Sequence, residues 1–154
     1  MSVGIVQFSA DLDAVAAKFD IAIATLLKKV TLEAFNSITE LTPVDTGRAR
    51  AGWALSINSP SDFIPQDLTP EERSAWRKKK KKGGKVPQSI FEKPEPNFEV
   101  LALIDGSQPI FIINNLEYIE ALEDGHSAKA PAGMVRITVA ALEIGIGRLL
   151  AANP

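Results

Sequence analysis

Three groups of residues in this 154-residue sequence carry side chains that could do chemistry. The first is Asp45 with Arg48, in Leu41-Thr42-Pro43-Val44-Asp45-Thr46-Gly47-Arg48, followed by Arg50 and Trp53. An acid three residues before a cation is a candidate catalytic pair. No nucleophile or second carboxylate stands at a telling spacing, however. Asp-Thr-Gly is also what a tight turn asks for: the Asp and Thr oxygens fold onto nearby backbone N–H groups, and Gly takes a positive φ. The residue types favour a structural corner.

The second group is Glu123, Asp124 and His126. The carboxylates could act as acid and base, or form a solvated face. At the C-terminal end of a helix they oppose the helix dipole and call for a cationic partner, a role open to Arg48 or Arg50. His126 is the only histidine and there is no cysteine, so neither a multi-histidine nor a cysteine metal site can be built. A triad could use His126, but a lone loop histidine is more often a surface residue.

The third group is the run Arg77-Lys78-Lys79-Lys80-Lys81-Lys82, flanked by Arg73 and Lys85 with no acid between those two. Such a run suits a polyanion, either nucleic-acid phosphates or an acidic protein face, with Trp76 placed to stack or anchor. The bland alternative is a solvated loop tip. Five consecutive lysines read no base sequence, so a nucleic-acid contact would be to the backbone and salt-sensitive. Gly83-Gly84 has neither the pattern nor the preceding strand of a phosphate-binding loop. No cofactor or metal is expected, and no enzymatic activity.

The elements that position these groups follow from periodicity. Apolar residues at steps of three and four from Leu12 to Leu41 predict one long amphipathic helix. Val3 to Phe8 reads as a short strand. Pro43 ends the helix, and Trp53, Leu55 and Ile57 alternate as a strand. Residues 59–97 hold six of the ten prolines and read as a long basic excursion, with a short helix from Pro70 to about Lys80 announced by Thr69-Pro70-Glu71-Glu72. Phe98 to Ile104 and Pro109 to Ile113, around Asp105-Gly106, predict a β-hairpin. A short helix is expected over Leu116 to Glu123, closed by Gly125, and a last helix over Met134 to Leu150. In that helix Gly145 and Gly147 weaken the coil or admit another backbone. The fold class is α+β: a long N-terminal and a C-terminal helix on a small antiparallel sheet, in one domain spanning 1–154.

Bulk properties agree with one globular domain, since a chain this long buries roughly 70% of its unfolded surface. The net charge of −2 hides a segregation: residues 59–97 carry a net +3 and the remainder −5. No basic residue precedes Lys18 and no apolar run spans a bilayer, so neither a secretory signal nor a membrane partner is expected.

Taken together, Thr42-Pro43-Val44-Asp45-Thr46-Gly47-Arg48-Ala49-Arg50-Ala51-Gly52-Trp53 after a long helix, and Asn114-Asn115-Leu116-Glu117-Tyr118, Leu122-Glu123, Gly125, Ser127, Ala130-Pro131 and Gly133-Met134 before the last helix, resemble the tail-completion, or minor tail and neck, family of tailed bacteriophages. The resemblance covers roughly 10–58 and 98–150. It implies a structural virion protein of the tail or neck, assembled in the bacterial cytoplasm. Such a protein forms a homo-oligomeric ring, most often a hexamer, between the tail tube and the head-proximal connector. Asp45, Gly47 and Arg48 would shape the first corner, with Arg50 and Trp53 beside it; Tyr118, Glu123, Gly125 and Pro131 would shape the second. The alternatives are a tail terminator ring capping the tube and a non-sequence-specific nucleic-acid-binding module using the lysine-rich loop. The basic excursion is longer than the family core requires. Its expected contacts are a neighbouring subunit or packaged DNA.

Overall fold

The computed structural model describes residues 15–17, 22–81 and 89–152. The expected strand at Val3 to Phe8, and Lys82 and Lys85, lie outside the described residues. The architecture is α+β, with helices packed on a two-stranded antiparallel sheet.

Helix α1 (Ile23–Leu41) turns Thr31, Phe35, Ile38 and Thr39 into the core, as the apolar spacing predicts. It does not run unbroken from Leu12. Ala22 has an extended backbone, with ψ 130°, which separates α1 from the helical residues 15–17. The break lets Val15 and the first turns of α1 reach one apolar cluster, with Ile23, Leu26, Leu27 and Val30 packed around Val15 and Ile146. Periodicity reports which face is apolar, not whether the helix is continuous.

A single turn, α2 (Arg48–Ala51), leads into β1 (Trp53–Ile57). β1 pairs antiparallel with β2 (Ile110–Asn114), from Trp53 opposite Asn114 to Ile57 opposite Ile110. Between the strands lie α3 (Pro70–Lys81) and α4 (Phe98–Leu103). α3 begins as its sequence predicts: the Glu72 N–H donates to Thr69 Oγ1 at 3.2 Å and the Thr69 N–H to Glu72 Oε2 at 2.9 Å.

The expected hairpin over 98–113 is incorrect, because its first arm is α4. Asn97 Oδ1 accepts from the N–H groups of Glu99 at 3.0 Å and Val100 at 3.2 Å, which caps a helix. Leu101 and Ile104, three residues apart, are buried while Phe98 and Leu103 are exposed, so the run is helical in its burial too. The Asp105-Gly106 turn exists, but it feeds α4 into β2, and β2 finds its partner in β1.

A five-residue helix, α5 (Ile119–Glu123), and the final α6 (Val135–Ala152) complete the chain. α6 packs on α1, with Ser37 Oγ and Thr138 Oγ1 2.8 Å apart across the contact. The core joins Phe35 and Ile38 of α1, Trp53 and Leu55 of β1, Leu101 and Ile104, Ile119, Met134 and Val135. A Cβ added at Gly145 or Gly147 would meet nothing within 4 Å, so neither glycine admits a backbone from within the described chain. No described helix is long and apolar enough to cross a membrane.

Candidate functional site

The first corner is locked by two hydroxyl contacts. Thr42 Oγ1 donates to the carbonyl of Ile38 at 2.7 Å, inside the last turn of α1, and accepts from the Trp53 indole N–H at 2.8 Å. The start of β1 is thereby bolted to the end of α1. Gly47, with φ at 95°, reverses the chain into α2. A Cβ there would lie 1.8 Å from Ser89 Oγ, so a side chain would expel the segment that returns from the excursion.

The second corner is organised by Glu123. The residue is 8% exposed, and its carboxylate caps α6 from outside that helix. Oε2 accepts from the N–H groups of Met134 at 2.8 Å and Val135 at 2.9 Å, and Oε1 from that of Arg136 at 3.0 Å. The Arg136 side chain adds an Nε contact to Oε1 at 3.3 Å and a further hydrogen bond to the Glu123 carbonyl. Burial works to raise the Glu123 pKa, but the three backbone donors and the Arg136 charge outweigh it and hold the carboxyl below its usual value. Gly133 is required here: its φ is 82°, and a Cβ would stand 2.5 Å from Glu123 Oε1.

The carboxylates at the end of α5 do have a cationic partner, as the dipole argument demands, but it is neither Arg48 nor Arg50. Arg136 meets Glu123 and lies 3.9 Å from Asp124. The sequence signal for it is Arg136's place in the first turn of a helix that follows Ala-Pro-Ala-Gly. A glutamate next to that turn satisfies the free N–H groups, and a nearby arginine can then add its charge.

Arg48 instead grips the excursion. Its Nε and one terminal nitrogen donate to the Pro65 carbonyl at 3.2 and 3.1 Å, and the other lies 3.6 Å from Asp67. Asp67 also pairs with Arg73 at 2.9 Å. Desolvation raises the Asp67 pKa, yet the Leu68 N–H and the two arginines hold it below its ordinary value. Asn115 donates to the carbonyls of Ser61 and Phe63, and the returning chain is tied to Thr46, whose carbonyl accepts from Ile90 N–H at 2.7 Å, Phe91 N–H at 3.1 Å and Ser89 Oγ at 3.0 Å. Both ends of the excursion are therefore rooted at the first corner.

These parts enclose one cleft of about 740 Å³. Pro43 to Ala49 form one wall, Glu117, Tyr118, Leu122 and residues 126–129 another, and Asp67, Arg73, Trp76 and Arg77 of the excursion a third. Lys129 crosses between the corners, its Nζ donating to the Val44 carbonyl at 3.0 Å. Asp45 and Tyr118 both line the cleft. Burial raises the Tyr118 phenol pKa, against the opposing pull of Arg48. His126 is exposed, with Nδ1 2.9 Å from the Ala121 carbonyl. Trp76 is buried at 7% exposure, not presented for stacking, while Arg77, Lys78 and Lys79 are exposed.

Of the other sequence-predicted residues, Arg50 sits on α2 with its buried Nε lacking a partner among the described residues. Gly125 has φ at 84° and Pro131 packs its backbone against it. No cluster of three or more His, Asp or Glu able to hold a metal occurs among the described residues. Comparison with family models, with curated proteins and with solved structures finds no match for this chain.

Proposed function

We propose that this chain is a structural subunit of the tail or neck of a tailed bacteriophage, acting in a closed ring at the head-proximal end of the tail tube. The support is the two-part sequence pattern, Thr-Pro-Val-Asp-Thr-Gly-Arg and Leu-Glu-x-Gly with Ala-Pro. Its halves are more than 70 residues apart in the chain, yet Pro43 to Arg48 of the first line the same cleft as Leu122 of the second and its neighbours Tyr118 and His126 to Lys129, and Lys129 bonds across to Val44. A ring subunit needs two different complementary surfaces, because head-to-tail contacts are what close a ring. An acidic body with a basic excursion supplies surfaces of opposite sign.

The test is oligomeric state. Light scattering coupled to size exclusion, followed by negative-stain images, should give a closed ring, with six copies expected. A strict monomer at all concentrations, also with tail or neck proteins of the same particle present, would overturn the proposal.

A further inference from the structure

Independently of ring formation, we propose that the C-terminal half of α3 is a binding site for the phosphodiester backbone of double-stranded DNA. The first half of this helix is linked to the body through Asp67, which pairs with Arg73 and lies 3.6 Å from Arg48. Its N-terminus is closed by the Thr69–Glu72 capping box, Arg73 is paired with Asp67, and Trp76 is buried. Beyond Trp76 the helix carries its cations: Arg77, which also lines the cleft, Lys78 and Lys79 are exposed, and the helical run continues through positions 80 and 81, both lysine. Its cations follow one another without an intervening acid, at a helical rise of about 1.5 Å per residue. Like charges at these spacings destabilise a helix, and a polyanion laid against it removes that penalty.

Two observations select the duplex backbone over other polyanions. The aromatic residue beside the run, Trp76, faces the body, so the site lacks the stacking platform that single-strand binders use. No apolar side chain stands among residues 77–81, so the surface lacks the dry centre of a protein–protein interface, from which lysine is depleted. What is left is closely spaced positive charge on a helix, which matches a duplex carrying one charge per about 1.7 Å.

The experiment is fluorescence anisotropy of the full chain with a labelled 30-base-pair duplex of arbitrary sequence, against salt concentration. Binding should be insensitive to base sequence, and log K should fall with log salt at a slope of about −3 to −5, as for contacts to several phosphates. The double reversal Lys78→Glu with Lys79→Glu, checked for an unchanged circular dichroism spectrum and melting temperature, should weaken binding at least tenfold and reduce the slope by about 2. Three outcomes overturn the proposal: no binding at low salt, unchanged affinity in the double variant, or tighter binding to a single strand of equal length. A fourth does so in favour of an acidic protein face: displacement of the duplex by polyglutamate at equal charge concentration.

Discussion

Glu123 shows how one side chain can hold two helices. Its backbone ends α5, and its carboxylate takes three of the N–H groups that the start of α6 leaves without partners. Removing it leaves buried donors unsatisfied and a helix dipole without its counter-charge. Glu123→Ala should therefore cost on the order of 2–3 kcal/mol, read as a fall in denaturation midpoint. The charge itself can be isolated by pH. The folded-state pKa of Glu123 lies below its ordinary value of 4.5. Its stabilisation is thus complete above that value and is lost as pH falls through the lower, folded one. Glu123→Gln should lose stability at pH 7 and converge on the wild type under acid conditions, where the wild-type carboxyl is also neutral. Parallel stability curves from pH 7 to pH 3 would show that the charge contributes nothing.

Among the elements, α4 separates what sequence carries locally from what it does not. Alternating burial and a helical turn both accommodate Phe-Glu-Val-Leu-Ala-Leu, and the following Asp-Gly made a hairpin the natural expectation. The deciding residue is Asn97, whose side chain can cap a helix but offers nothing to a strand. Asn97→Ala should cost about 1 kcal/mol, while Asn97→Asp, which keeps the acceptor, should be near neutral; equal losses in the two variants would mean that the cap is not what holds α4. The capping box of α3, the end of α1 at Pro43 and the strand at Trp53 were legible because each rests on residues adjacent in sequence. The partner of β2, the break at Ala22 and the Arg136–Glu123 pair were not, because each is decided by contacts between distant segments. The two corners were recognisable as turns, but only their packing shows that they share a cleft and that the excursion closes it.

At the scale of the whole molecule, the basic excursion is joined to the body through the first corner. Arg48 holds the outgoing chain, Thr46 holds the returning chain, and Trp76 seats α3 between them. The orientation of the lysine-bearing helix therefore depends on a residue that precedes its first lysine, Lys78, by thirty positions. A guanidinium gives two N–H donors to one carbonyl and still reaches Asp67; an ammonium can keep the ion pair but not the fork. Charge-assisted hydrogen bonds of this kind contribute roughly 1.5–3 kcal/mol, which corresponds to about tenfold or more in a local opening equilibrium. Arg48→Glu should accordingly accelerate amide hydrogen exchange across residues 61–76 by at least about tenfold, and Arg48→Lys by less. The central amides of α1 and α6 should be unchanged, since neither helix takes part in the Arg48 contacts to Pro65 and Asp67. Uniform acceleration across the chain would mean that Arg48 supports the core. Unchanged exchange over 61–76 would mean that this part of the excursion is held without it, by contacts such as those of Asn115 and Trp76.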